Sequence, residues 1–265
     1  NSNKEVLKSR INMLLDDRVS NETIMKTFSI KDLKQWKFKT VRNEFKNTFS
    51  EVQLQELLYR PFDTQWIIFN DNLIERARAD VMRHMMNENI ALLFSRQIDK
   101  SGYLPVFVSK SIIDSHSITS AVSITSIAPM YIYPNTDKHD LFSSHSEKRE
   151  PNINDKIFKE LNEKYKRHLK PEEILAYIYG VLYSIEYRNK YNEFLKSDFP
   201  RIPCVDDYSK LKETAEKGQE LLDLHLMRSK KLDKPISKFN GKGDCKVEKI
   251  EYNEKEKAIY INPTQ

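Results

Sequence analysis

Short apolar segments separated by polar stretches occupy the middle of the chain. Four of them are rich in β-branched and aromatic residues, a composition that predicts buried β-strands. These segments are Trp66–Phe69, Ile90–Phe94, Val106–Val108 and Met130–Tyr133. Between the first two, an apolar residue recurs at every fourth position, which predicts an amphipathic helix over Leu73–Met86.

A proline-containing turn, Arg60-Pro61-Phe62-Asp63, precedes the first predicted strand, and leucines just before it predict a short helix. Proline restrains Arg60 to an extended conformation. We expect Arg60 and Asp63 to pair across the turn. Phe62 and Trp66 are expected to anchor the first strand in the core.

Helical spacing dominates after residue 156. Pro171 and the two acids after it predict a helix start, because proline fits the first turn and acids stabilise the positive end of the helix dipole. The apolar stripe Ile174–Ile185 is expected to pack inward, and another helix is predicted over Tyr208–Met227. Alternation in Lys246–Tyr252 and Ala258–Asn262 predicts a late β-hairpin.

These elements predict a mixed α+β fold in four parts. The parts are a helical connector (1–55), a small β-sheet subdomain with an amphipathic basic helix (56–136), a polar linker (137–156) and a helical subdomain that ends in the late β-hairpin (157–265). The linker is predicted from its polar composition and its lack of periodicity.

Composition favours a globular chain in a reducing compartment. The 265 residues are 39% hydrophobic, enough for a core, and no apolar run approaches the 18 or so residues of a membrane span. The first residues lack the apolar segment of a signal peptide. Cys204 and Cys245 lie far apart, which argues against a disulfide framework. We therefore expect a cytoplasmic location and no membrane partner.

The net charge of +5 is concentrated in one region. Residues 1–50 carry eleven Lys and Arg against six Asp and Glu, and the remaining chain is balanced. A basic arm favours polyanion binding, because neutralising phosphates releases counterions. The alternative is a solvated surface whose charge serves solubility.

The predicted amphipathic helix carries three candidate DNA-contacting arginines, Arg76, Arg78 and Arg83. Arginine forks onto phosphate oxygens or onto guanine O6 and N7. Arg78 lies far round the helix from Arg76, so the three are not expected to share one groove. The alternative is a solvated face in which they pair with Glu75 and Asp80.

Arg96 and Gln97 directly follow a predicted buried strand. Their side chains suit bidentate contacts to guanine and adenine respectively, which makes them candidates for base reading. Solvation of the loop is the alternative. Arg201 lies between two prolines, where it either contacts DNA or braces the two subdomains.

Half of the residues from Ser109 to Ser126 are Ser or Thr, and hydroxyls suit phosphates, bases and bridging waters. The DNA-binding candidates in this loop are Ser109, Lys110, Asp114, His116, Thr119 and Ser120. An ordinary polar loop is the alternative. One Asp and one His are too few for a catalytic or metal site.

Several ordered blocks carry a resemblance to a known family. They are YRPFDTQWIIF, ERARADVMRHM, NIALLFSRQ, VFVSKSIIDSHSIT, APMYIYP and PEEILAYIYGVLYSIEYRNKYNEFLKSDFPRIP. From about residue 56 to its end, the chain resembles the C-terminal specificity region of type ISP restriction–modification enzymes. In that family one polypeptide carries a nuclease, an ATP-driven translocase, an adenine-N6 methyltransferase and a terminal target-recognition domain.

The resemblance implies sequence-specific recognition of double-stranded DNA, in partnership with the methyltransferase domain of the same polypeptide. It also implies that S-adenosylmethionine, ATP and Mg²⁺ serve other domains. This chain has no GxGxxG, P-loop, paired CxxC or Asn-Pro-Pro methyltransferase motif. We therefore expect it to be non-catalytic, with no cofactor and no metal of its own.

Two other classes of function compete with DNA recognition. A helical protein–protein interaction scaffold would bind protein without selectivity for DNA. A stand-alone enzyme would need a compact polar constellation in one pocket, and the sequence offers only Asp114 and His116 for it. The enzyme ranks last.

Overall fold

The computed structural model describes residues 3–34, 36–70, 73–74, 77–96, 104–119, 123–134 and 149–265. Within them the chain adopts the predicted α+β class and forms two compact units, Asn1–Arg228 and Ser229–Gln265. The division into four parts stays a prediction, and much of its polar linker lies outside the described residues. No helix in the described part of the chain is long and apolar enough to cross a membrane.

The first unit contains both helices and short strands. Its helices are α1 (Lys4–Leu15), α2 (Asn21–Thr27), α3 (Phe38–Thr48), α4 (Ala79–Met82), α5 (Asp155–Tyr165), α6 (Pro171–Tyr183), α7 (Ile185–Lys190), α8 (Asn192–Leu195) and α9 (Tyr208–His225), with 3₁₀ turns at Glu51–Gln53 and Arg83–Met86. Its strands are β1 (Leu54–Arg60), β2 (Asp63–Ile68), β3 (Ala91–Ser95), β4 (Val106–Ser109), β5 (Ile112–Ile113), β6 (Thr125–Pro129), β7 (Tyr131–Ile132) and β8 (Glu150–Pro151).

The second unit is small. It contains a 3₁₀ turn, Lys230–Asp233, and an antiparallel hairpin of β9 (Glu251–Asn253) and β10 (Ala258–Tyr260). The hairpin confirms the predicted late β-hairpin, although both strands are shorter than the alternating segments.

The antiparallel sheet β4-β3-β6, which we call the central sheet, is buried on both faces. Val106 and Val108 pack with α6 and α9, whereas Phe107 and Leu93 pack with α4, β1 and β5. Strands covered on both faces have continuous apolar sequences, because neither side of the strand meets water. This explains why Val106–Val108 and Ile90–Phe94 lack alternation.

A second sheet, β2-β1-β5, lies on the face of the central sheet opposite α6 and α9. In it β1 pairs antiparallel with β2 and parallel with β5. Separately, β7 pairs antiparallel with β8.

Glycines allow α6 and α9 to cross closely on the helical side. A Cβ at Gly218 would overlap the carbonyl group of Ala176, and one at Gly180 would lie 2.6 Å from the carbonyl oxygen of Thr214. Any larger residue would force the helices apart. Tyr179 and Leu182 of α6 are fully buried at this crossing.

Arg42 holds the N-terminal helices together. Only 5% of this residue is exposed, and its guanidinium donates to the carbonyl oxygens of Leu14, Asp16 and Val19 at 2.7–2.9 Å. It also donates to Oδ1 of Asn21 at 2.8 Å. The carbonyls at the end of α1 have no partner inside their own helix, so Arg42 supplies the missing donors.

Several predicted elements are confirmed. The four predicted strands correspond to β2, β3, β4 and β7, with ends shifted by a few residues. The helix α6 begins at Pro171, and α9 begins at Tyr208. The strands β5 and β6, inside and after the hydroxyl-rich loop, were not predicted.

The predicted helix over Leu73–Met86 is wrong at the residues before Ala79 that the structure describes. Arg78 has a left-handed conformation, with φ of 50°, so α4 begins only at Ala79. Leu73 donates its amide to the carbonyl oxygen of Asn70 and packs with the core of the N-terminal helices. That packing overrides the helical spacing. The short helix predicted before the proline turn is also wrong, because Leu54–Arg60 is strand β1.

Three side-chain predictions fail as well. Phe62 is 58% exposed at the tip of the β1–β2 hairpin instead of buried. Arg60 pairs with Asp114 and not with Asp63. Ile185 is 76% exposed, because α6 ends at Tyr183 and the cap of the next helix shifts the phase of the stripe.

Replacing Arg42 by alanine is expected to lower the free energy of unfolding by about 3 kcal/mol, because buried carbonyl groups lose charged donors. Chemical denaturation measures the change. Arg18→Ala is the matched control, since Arg18 also lies near the end of α1 but is exposed and bonded to the side chain of Asp16. Equal, small effects of the two substitutions would contradict this role of Arg42.

Candidate nucleic-acid interface

Nine of the twelve predicted contact residues lie within the described part of the chain. Arg76, Gln97 and Ser120 lie outside it, and their roles stay predictions.

The tip of the β1–β2 hairpin, residues 59–63, has an irregular backbone. The pairing register shifts between Leu58 and Arg60, so Tyr59 forms a bulge, and Phe62 has a φ of 64°. Bulges re-aim the side chains beside them. The ring of Phe62 lies edge-on to Phe107, with centroids 5.1 Å apart. The hairpin tip therefore rests on the central sheet while remaining open to solvent.

Asp114 connects this tip to the hydroxyl-rich loop. The strand β5 pairs with β1 just before it, and the amide of Asp114 donates to the carbonyl oxygen of Leu58 at 3.1 Å. Its Oδ1 accepts from Nη1 of Arg60 at 3.1 Å and from the amide of His116 at 2.9 Å. One carboxylate thus holds an arginine that lies 54 residues earlier in the chain.

The loop after Asp114 folds back onto the start of β6. Thr125 donates its amide to the carbonyl oxygen of Ser115 at 2.8 Å, and Thr119 Oγ1 donates to the carbonyl oxygen of Ser123 at 2.7 Å. Thr125 pairs with Ser95 in the sheet. Asp114, His116 and Thr119 therefore lie at the same end of the central sheet as Arg96, and we call this the reading end.

Arg96 and Arg201 each lie over an aromatic ring. The guanidinium of Arg96 lies 5.6 Å from the ring centroid of Phe199, which itself packs edge-on against Phe94 at 5.6 Å. Arg201, two residues later, lies over Phe194 at 4.9 Å. Stacking on aromatic faces fixes the planes of guanidinium groups at little cost in hydrogen bonds. Arg201 also lies 3.8 Å from a carboxylate oxygen of Asp198.

Arg78 and Asp114 line a common, largely apolar cavity, so Arg78 also belongs near the reading end. Three other predicted residues do not join it. Ser109 is buried and exchanges hydrogen bonds with the backbone of Ser111, and it pairs with Ala91 at the opposite end of the sheet, where Lys110 is exposed. Arg83 is half-buried and donates to the carbonyl oxygen of Tyr133 at 2.9 Å.

Sequence reasoning missed Arg60 as a member of this site. Its proline neighbour marked a turn, but nothing near it in sequence indicated the partner at Asp114. The parallel pairing of β1 with β5 creates that contact.

The chain is similar to one described family and to several solved structures. The family of Type ISP C-terminal specificity domains matches residues 1–265. The ATP-dependent Type ISP restriction-modification enzyme LlaBIII bound to DNA matches with a TM-score of 0.65 and 20% identity, over 98% of this chain and 17% of that one. A nuclease-deletion mutant of the Type ISP enzyme LlaGI, in complex with a DNA substrate mimic, matches with a TM-score of 0.57 and 22% identity, over 96% and 19%.

A cryo-EM structure of a DrdV–DNA complex matches with a TM-score of 0.57 and 22% identity, over 84% of this chain and 20% of that one. The chain therefore spans a fifth or less of the length of these solved relatives. No curated protein matches it.

Acid is expected to weaken the contact between the turn Arg83–Met86 and Tyr133, through the titration of His84. Burial, with a smaller contribution from Arg83, lowers the pKa of His84 below its ordinary value of 6.5. Its Nδ1 must accept from the amide of Tyr133 at 3.0 Å, so protonation removes that bond. The unfolded chain therefore binds the proton more tightly than the folded chain does. The contribution of His84 to the free energy of unfolding is complete above about pH 6.5 and is lost as the pH falls below that value.

Denaturation at pH 7.5 and 5.5 measures this loss. The variant His84→Asn keeps an acceptor near the Nδ1 position but does not titrate, so it is expected to lose less stability on acidification than the parent. The control His168→Asn removes an exposed ring and is expected to leave the loss unchanged. An unchanged loss in His84→Asn would refute the assignment.

Proposed function

Because the chain belongs to the family of Type ISP C-terminal specificity domains, we propose that it reads a specific sequence in double-stranded DNA and performs no chemistry itself. One observation carries the proposal beyond the family match. Polar and cationic side chains from separate segments converge at the reading end, where Asp114, His116, Thr119 and Arg96 are held by backbone or aromatic contacts. Base reading needs such preorganised donors and acceptors, because it depends on geometry.

We assign different roles to the candidate residues. Arg96, His116 and Thr119 of the reading end contact base edges, together with Gln97 and Ser120 as predicted from sequence. Arg76, Arg78, Lys110, Arg201 and the basic first 50 residues contact phosphates and set the register. We assign Ser109 and Arg83 to positioning, since their polar atoms are already bonded inside the protein.

We further propose that this recognition serves catalytic domains elsewhere on the same polypeptide. The solved relatives are about five times longer than this chain. A methyltransferase and a nuclease domain would supply the chemistry there, and S-adenosylmethionine, ATP and Mg²⁺ would belong to those domains. A methyltransferase that flips its target adenine needs the duplex held in a fixed position. This chain would hold the duplex for it. The free thiols of Cys204 and Cys245 support a cytoplasmic location.

Selection from a randomised duplex pool at near-physiological salt tests the proposal. Sequencing of the retained DNA is expected to give one non-palindromic motif, because a single copy of the chain imposes no two-fold symmetry. Retention without enrichment would leave only an electrostatic interaction. No retention, even at low salt, would refute DNA recognition by this chain and favour the protein–protein scaffold.

The variant Arg96→Ala is expected to weaken binding to the selected duplex by about 1–3 kcal/mol while changing binding to random duplex much less, because a lost base contact affects only its own site. Titration by fluorescence anisotropy measures both affinities. Lys217→Ala is the control, since Lys217 is an exposed cation of α9 that pairs with Glu213. Equal losses on selected and random duplex would move Arg96 to the phosphate-contacting set.

A further inference from the structure

Arg60 has surroundings that differ from those of an ordinary surface arginine. Its Nη1 donates to Oδ1 of Asp114 at 3.1 Å and to the carbonyl oxygen of Tyr59 at 2.5 Å. Its guanidinium carbon lies 4.1 Å from the ring centroid of Tyr59. Even so, 44% of the side chain is exposed. The charged group is therefore held in one orientation at a surface that a ligand can reach.

The bonds of Arg60 leave one complete edge of the guanidinium available. The two hydrogens on Nη1 match its two acceptors, Tyr59 and Asp114. Within the described part of the chain, Nε and Nη2 make no hydrogen bond. These two atoms form the edge that pairs side-on with two neighbouring acceptors. Guanine offers that pair as O6 and N7 in the major groove.

The neighbouring carboxylate favours a base over a phosphate. Asp114 lies at hydrogen-bond distance from Arg60, so it offsets much of the positive charge and repels a nearby phosphate. Bidentate pairing with guanine depends on the geometry of the donors more than on net charge. The pair is therefore better suited to the floor of a groove than to the DNA backbone.

The backbone around Arg60 is also fixed. Pro61 restricts its conformation, the bulge at Tyr59 sets its direction, and β5 carries Asp114 beside it. A preorganised arginine loses less conformational entropy when it binds.

We propose that Arg60 determines specificity by reading a guanine in the DNA target, with Asp114 as the positioning residue that orients its guanidinium. This inference rests on the proposed function, because it assumes that the chain binds duplex DNA. It adds the hairpin tip to the reading end and assigns Asp114 a role through Arg60 in place of a direct base contact.

The test repeats the duplex selection with the full chain and its variants Arg60→Lys, Arg60→Ala and Asp114→Asn. Arg60→Lys keeps the charge but removes the fork. It is expected to reduce the preference for guanine at one motif position by about 5- to 150-fold, and to leave the other positions and the affinity for random duplex unchanged. Asp114→Asn is expected to weaken the same position by a smaller factor.

Arg228→Lys is the matched control. Arg228 also forms an exposed arginine–aspartate pair, with Asp223 at the end of α9, and it is assigned to no contact with DNA. The motif selected by this variant is expected to equal that of the parent. Thermal unfolding of each variant checks that the fold is retained.

The outcomes separate this inference from the proposed function. A parent motif that persists in Arg60→Lys, guanine included, overturns the role of Arg60 and leaves DNA recognition standing. If Arg60→Ala lowers the affinity for all duplexes equally and reduces the slope of log affinity against log salt by about one, Arg60 contacts a phosphate. That result also overturns the base-reading role of Arg60. A parent chain that selects no motif refutes both.

Discussion

Burial of the central sheet on both faces is the constraint on which the rest of the first unit depends. Alternate residues of β4 enter two different cores, one built with α6 and α9 and one with α4, β1 and β5. Covering a sheet on both sides leaves only its ends and connecting loops open to a ligand. The candidate contact residues therefore gather at loops beyond strand ends, positioned by a scaffold that cannot easily shift.

The helical side of this arrangement depends on close packing. Gly180 and Gly218 allow α6 and α9 to approach, and α9 then ends beside the central sheet at His225. The ring of His225 stacks on Phe107 at 5.2 Å, and Phe62 covers both rings from the hairpin tip. The close packing of α6 and α9 thus helps to position His225 against the hairpin tip that carries Arg60.

The ion pair between Arg60 and Asp114 positions two side chains but contributes little to the stability of the fold. Both side chains are partly exposed, and exposed pairs contribute at most about 1 kcal/mol. Its importance lies in position, because it joins the hairpin tip to the hydroxyl-rich loop across 54 residues. Arg42 is the opposite case. It is buried, bonded to several carbonyl groups and important for stability.

Local sequence patterns determined many of the helices and strands of this protein. Strands such as Val106–Ser109 and the start of α6 at Pro171 follow from composition and helix-end chemistry, which act over a few residues. The family was also evident, because ordered sequence blocks identify it. The tertiary structure alone decided that Leu73 leaves its helical stripe for another core, and that Arg60 meets Asp114 instead of Asp63. Both outcomes depend on contacts between segments distant in sequence, and no local pattern encodes which strand will lie beside which.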